Sequence, residues 1–271
     1  MKVVLYLGIW VALLWLSPTG AAQQRTDGID PEALIEQIVH VEEGQREQVR
    51  DIVFDVELLS GKHDKNKGFQ EESRFVMKVF LKFQTDTTWF HQEFLEFYDK
   101  GKLQSPKKCA EKAKEKIEKD HKRKARNVSH PMLLPFYPES REFYDIKYEG
   151  VTEDKIDGYV CHHFTVHSKL EEDNYIHGDF FFEAEDFHLV RADFRPAKLT
   201  RSMMFKLKTL NMSIRYAPTD EGFWLPRQFD IQGKGKAAFL FGVNFAAIQY
   251  FRNPRINTNL SDEIFEANED E

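Results

Sequence analysis

The stretch IDGYVCHHFTVHSK (156–169), followed by IHGDFFFEAEDFHLVRADFRP (176–196), decides the fold. Tyr159 to Ser168 reads as a strand entered from a turn at Asp157-Gly158. Tyr175 to Glu183 and Phe187 to Phe194 read as the arms of a hairpin whose tight turn holds Glu185 and Asp186. Aromatic and β-branched residues fill all three segments, while Gly and acidic residues mark their ends. Short turns join only antiparallel neighbours, because a parallel pair needs a long crossover.

The same reading extends in both directions. Upstream, Ile52, Phe54, Val56 and Leu58 alternate with Val53, Asp55 and Glu57; Phe75, Met77, Val79, Leu81 and Phe83 then alternate with Lys78 and Lys82. A third strand follows from Thr87 to Tyr98, and a short one spans Phe143 to Tyr148. Downstream, Leu210, Met212, Ile214 and Tyr216 share one strand face, and Phe223, Leu225, Phe229 and Ile231 share the next. Pro226 puts that strand at a sheet edge or at a bulge, since it cannot donate to a ladder. The last strand, Lys236 to Phe251, is apolar on both faces and is expected to be covered on both. The pattern predicts about ten strands and two helices: a mainly β protein built as one strongly curved antiparallel sheet around a helix.

The first helix opens at Asp30-Pro31, an acidic cap followed by Pro in the first turn, and presents Leu34, Ile35, Ile38 and Val41 as an apolar stripe. The second, from Ser105 to Arg126, is basic. Lys107, Lys108, Lys112, Lys114, Lys116, Lys119, Lys122, Arg123, Lys124 and Arg126 face only Glu111, Glu115, Glu118 and Asp120, with a thin apolar line at Cys109, Ala113 and Ile117. Such a helix is either a solvated surface element or a contact for an anionic membrane surface or envelope partner protein, through Lys112, Lys116, Lys119 and Arg123. Residues 261–271 hold acids and no base, and are expected to be disordered.

Met1 and Lys2, the uncharged run from Val3 to Leu16, and the small residues up to Ala22 have the form of a signal peptide cleaved after Ala22. That leaves one domain over 23–260 and a periplasmic or secreted protein. No Cys follows the apolar run, so a lipoprotein anchor is not expected there. Removing Lys2 with the leader leaves 37 basic residues against 45 acidic, a mature balance of −8 that argues against nucleic acid as partner. Cys109 and Cys161 can be bridged in an oxidising compartment or stand as two thiols.

His162, His163, His167, His177 and His188 invite a metal reading. His162 and His163 point to opposite faces, and His163 and His167 lie roughly 13 Å apart at strand rise, too far for one ion. No metal and no cofactor is expected. The chain also lacks G-x-S-x-G, H-E-x-x-H, G-x-G-x-x-G and the P-loop pattern. An enzyme is therefore not expected, although a secreted hydrolase with a site assembled from distant residues remains the alternative, as does a structural envelope protein without ligand.

Together with GFWLPRQFDIQG (222–233), the two segments quoted first resemble the signature strands of the periplasmic lipoprotein-carrier superfamily, the LolA/LolB-like outer-membrane lipoprotein-sorting proteins. The likeness runs over roughly 30–251. It implies an unclosed half-barrel of about eleven strands with helices over the concave side, where acyl chains of a lipid or lipidated protein are held. It implies a carrier rather than an enzyme. The basic helix is longer than that pattern requires. Strand alternation nominates Phe75, Met77, Val79, Leu81, Leu210, Met212, Ile214, Phe239 and Phe241 as the hydrophobic lining; whether they line a cavity or fill a core stays open.

Overall fold

The structure, a computed structural model, describes residues 29–64, 66–84, 88–124, 134–172, 174–199, 205–237 and 241–266. The expected signal peptide, 1–22, lies outside them, and no described helix is long and apolar enough to cross a membrane.

Helix α1 (Pro31–Gln48) starts as its sequence dictates: the Asp30 carboxylate accepts from the Glu32 N–H at 3.0 Å, and Pro31 fills the first turn. Four strands follow, β1 (Asp51–Asp64), β2 (Gly68–Phe83), β3 (Thr88–Asp99) and the two-residue β4 (Lys102–Leu103). The basic helix α2 (Pro106–Lys124), a 3-10 turn at Leu134–Phe136 and the short α3 (Pro138–Arg141) interrupt the sheet. Seven strands complete it: β5 (Tyr144–Val151), β6 (Cys161–Ser168), β7 (Ile176–Glu183), β8 (Leu189–Pro196), β9 (Phe205–Pro218), β10 (Trp224–Ala237) and β11 (Phe241–Ile256). α4 (Glu263–Glu266) ends the described chain.

Among the described residues all eleven strands belong to one antiparallel sheet in the order β4-β3-β2-β1-β11-β10-β9-β8-β7-β6-β5. Among the described residues nothing joins β4 to β5, so the sheet stays open: the half-barrel that the sequence implies. The first and last long strands are neighbours, Val56 pairing with Phe251 and Leu58 with Gln249.

Side chains with one parity of the pleat form two cores. Ile35, Ile38 and Val39 of α1 pack with Phe136, Tyr144, Phe164, Phe180, Phe182, Ala192 and Ile214 of the β5–β9 half. Phe136 stands edge-on to Phe164, Phe180 and Phe182 at 5.7, 5.2 and 5.1 Å, an arrangement that aromatic quadrupoles favour. The second core holds Ile52, Phe54, Val56, Met77, Val79 and Leu225, joined by Val49 just beyond the end of α1.

Several expectations need correction. Val39, not Val41, completes the buried stripe of α1. The last apolar stretch is not one strand from Lys236: β10 runs on to Ala237, and β11 extends from Phe241 to Ile256. Pro226 lies inside the sheet between β9 and β11, with a register break between Pro226 and Gln228, so the bulge and not the edge accommodates it. In the tail, 261–266 is not disordered. Lys82 pairs with Asp262 and donates to the Leu260 carbonyl at 2.7 Å, and Phe265 of α4 meets Trp89 with centroids 5.7 Å apart. Buried Asp51 holds the chain just before this segment, accepting from the N–H groups of Thr258 and Asn259 at 2.7 and 2.9 Å. Residues 267–271 lie outside the description. Both cysteines are free and buried, and burial pushes the Cys161 thiol up to about 12.

Candidate functional site

Register places one side chain from each of ten strands in a single row on the α1 side of the sheet. From β3 to β5 it reads Phe97, Phe75, Leu58, Gln249, Phe229, Ile214, Ala192, Phe180, Phe164 and Tyr148. Nine of these ten side chains are apolar or aromatic; Gln249 alone is an amide. Paired positions on neighbouring strands face the same way, so the row proves that the apolar face is continuous from one end of the sheet to the other.

Its two halves differ in how they are covered. Under α1 and Phe136 the row is solid core: Ala192, Phe180 and Phe164 are fully buried. No residue of α1 belongs to the second core. There the deep positions, Phe54, Val56, Met77 and Val79, are buried, but Leu58, Phe75, Leu81 and Phe94 are only half-buried. Phe75 is wedged between Phe94 and Phe97 with centroids 5.1 and 4.7 Å away. Across the seam, Phe229, Ile231, Leu210 and Met212 are half-buried as well. A belt of partly exposed apolar side chains therefore runs from β3 to β9 above a buried floor.

The structure brings most of the sequence candidates to this one face. Phe75, Leu81, Leu210 and Met212 lie in the half-buried belt. Met77, Val79 and Ile214 lie beneath it as core. Phe239 falls outside the described residues, and Phe241 starts β11 with no side chain described. Sequence alternation left Leu58, Phe94, Phe229, Ile231 and Gln249 off the lining; the alternation was there, but only register shows that these residues join the others.

The basic helix α2 lies along β3, with Cys109 and Ala113 buried as its apolar line implies. Lys108 reaches Asp99 at 3.8 Å and Lys112 reaches Glu115 at 2.8 Å. Lys116 sits on the same helix, and the side chains of Lys119 and Arg123 lie outside the description.

The opposite face holds a small apolar cluster around Cys161, Val190 and Trp224, and polar side chains beyond it. His163 meets Asp179 at 2.9 Å, and the Thr165 hydroxyl donates to the same carboxylate oxygen at 3.2 Å. The carboxylate stands between hydroxyl and imidazole, so His163 is not placed as a base for Thr165, which is the relation nucleophilic hydrolysis needs. His167 and His177 approach with ring centroids 5.5 Å apart, but among the described residues no group of three ligand-type side chains could hold a metal.

No known family matches the chain by sequence, and no curated protein does. Solved structures do resemble it. A DUF1329 family protein from Desulfovibrio piger is 14% identical with a TM-score of 0.47, over 88% of this chain and 98% of that one. A putative outer membrane lipoprotein-sorting protein domain from Vibrio parahaemolyticus is 12% identical with a TM-score of 0.43, over 86% and 98%. A LolA superfamily protein from Nitrosomonas europaea is 10% identical with a TM-score of 0.36, over 88% and 97%.

Proposed function

We propose that the protein is an extracytoplasmic carrier or binding protein that shelters the acyl chains of a lipid or lipidated protein on the α1 side of its sheet. One observation carries this reading: the apolar row continues past the half that α1 covers, and there its side chains stay partly exposed. A finished core would bury Leu58, Phe75, Phe94 and Met212 as fully as it buries Phe164 and Phe180. An acyl chain laid along the belt would gain about 0.8 kcal/mol for each methylene it takes out of water. Displacement of a fluorescent fatty acid from the purified protein tests it. Saturable binding is expected, weakened by Met212→Glu or Phe75→Glu; no binding by the folded wild type overturns the reading.

In this reading α2 is the element that meets an anionic leaflet. Its apolar line is turned to β3, so the helix cannot bury that line in lipid, and attraction through its bases is what remains. In this reading residues 1–22 are a leader removed on export, and N-terminal sequencing of exported protein should begin at Gln23.

A further inference from the structure

The face turned away from α1 holds a groove of about 630 Å³. One row of side chains crosses it. His177 on β7 pairs in register with Arg195 on β8, and Asn211 on β9 pairs with Gln232 on β10. The β8–β9 ladder ends at Phe194 and Met212, one position before Arg195 and Asn211, so the two pairs are adjacent. All four residues line the groove.

The groove's carboxylates are already engaged. Asp193 is paired with Arg191 at 2.7 Å, Asp230 with Arg215 at 2.6 Å, and Asp179 with His163 and Thr165. Arg195 and the side-chain amides of Asn211 and Gln232 have no hydrogen-bond or ion-pair partner among the described residues. The Ser168 N–H donates to His177 Nδ1 at 3.1 Å, which fixes the neutral ring's own proton on Nε2. Burial, reinforced by the charge of Arg195, holds His177 below its ordinary value and so keeps the ring neutral. Close by, Arg191 Nε and Ser213 Oγ are buried with no partner. Among the described residues Arg195 is thus the one arginine of the groove without a carboxylate partner, with the two amides and the His177 ring as donors beside it. A neutral sugar would need as many acceptors as donors; an oxyanion needs donors alone.

We propose that this groove binds a phosphate-type oxyanion, with the Arg195 guanidinium as its charge partner and Asn211, Gln232 and His177 Nε2 as further donors. The site is independent of the apolar face, from which the sheet itself separates it.

Calorimetric titration of the purified protein with inorganic phosphate, glycerol 1-phosphate and a short-chain phosphatidylglycerol below its micellar concentration tests the proposal, with glucose as the neutral comparison. Saturable binding of phosphate is expected. Arg195→Gln should weaken it roughly tenfold, about what one lost charged hydrogen bond is worth, and Asn211→Leu by a smaller factor. Arg195 and Asn211 are exposed, so both variants should melt with the wild type. Tighter binding of the phosphatidylglycerol identifies a lipid headgroup as the source, and equal binding of all three identifies the phosphate group itself. The proposal is overturned if phosphate does not bind, if Arg195→Gln binds it as well as the wild type does, or if glucose binds equally. Phe75→Glu, which disables the apolar face and lies outside the groove, should leave phosphate binding unchanged, so the two readings fail separately.

Discussion

Gln45 and Trp224 exchange two hydrogen bonds: Gln45 Nε2 donates to the Trp224 carbonyl at 3.0 Å, and the Trp224 N–H donates to Gln45 Oε1 at 2.6 Å. A side chain in the last turns of α1 thereby completes the backbone of the first residue of β10, across 179 positions of sequence. Gln45→Ala leaves a buried N–H and C=O unmet and should cost about 1–3 kcal/mol, read as a lower urea midpoint at unchanged slope. Gln45→Glu keeps the acceptor, and its midpoint should fall between wild type and Ala.

Ile38, on the buried face of α1, is 1% exposed. Ile38→Asp should cost several kcal/mol because it buries a charge against aromatic rings, while Ile38→Val should cost about 0.5–1.5 kcal/mol. Thermal melts of the two variants decide it. An unchanged Tm for Ile38→Asp would place α1 elsewhere.

Reversing Lys112, Lys116, Lys119 and Arg123 to Glu should abolish co-sedimentation with anionic vesicles and move Tm by only a few degrees, since exposed ion pairs contribute about 0.2–1 kcal/mol each. Raising the salt should release the wild type as well, because screening acts within about 8 Å at physiological ionic strength.

Stability should fall as pH drops below 6.5. Burial depresses His162 and His188 below that ordinary value, against the weaker upward pull of Glu183 on both and of Asp186 on His188. A depressed histidine binds its proton more readily unfolded than folded. Its contribution is therefore complete above the unfolded value and is lost as pH falls toward the folded one. Urea midpoints between neutral pH and mild acid should decline in the wild type and decline less in the double variant His162→Gln/His188→Gln.

Alternation was enough to find the strands, because a half-buried sheet writes period two into Ile52–Leu58, Phe75–Leu81 and Leu210–Tyr216. What alternation lacks is strand order. Pro226 fits an edge or a bulge equally well until β11 is known to lie beyond it. Both Val39 and Val41 are apolar; which one turns inward depends on where α1 lands on the sheet. The tail looked unattached because its partners, Lys82 and Trp89, come from β2 and β3, far back in the chain. The groove residues Arg195, Asn211 and Gln232 are ordinary polar positions on three separate strands, and only register makes them neighbours.

The adjacency of β1 and β11 also bears on the order of assembly. Glu57 and Arg252 meet across 195 positions of sequence. As the chain is made, β1–β3 can zip locally, and so can β5–β10, but each part keeps a bare edge until β11 arrives. Closing so long a loop is entropically slow, and high contact order retards folding. The β1–β11 seam should therefore form after the local hairpins on either side of it. Once closed, the seam makes the two half-sheets cooperate as one unit.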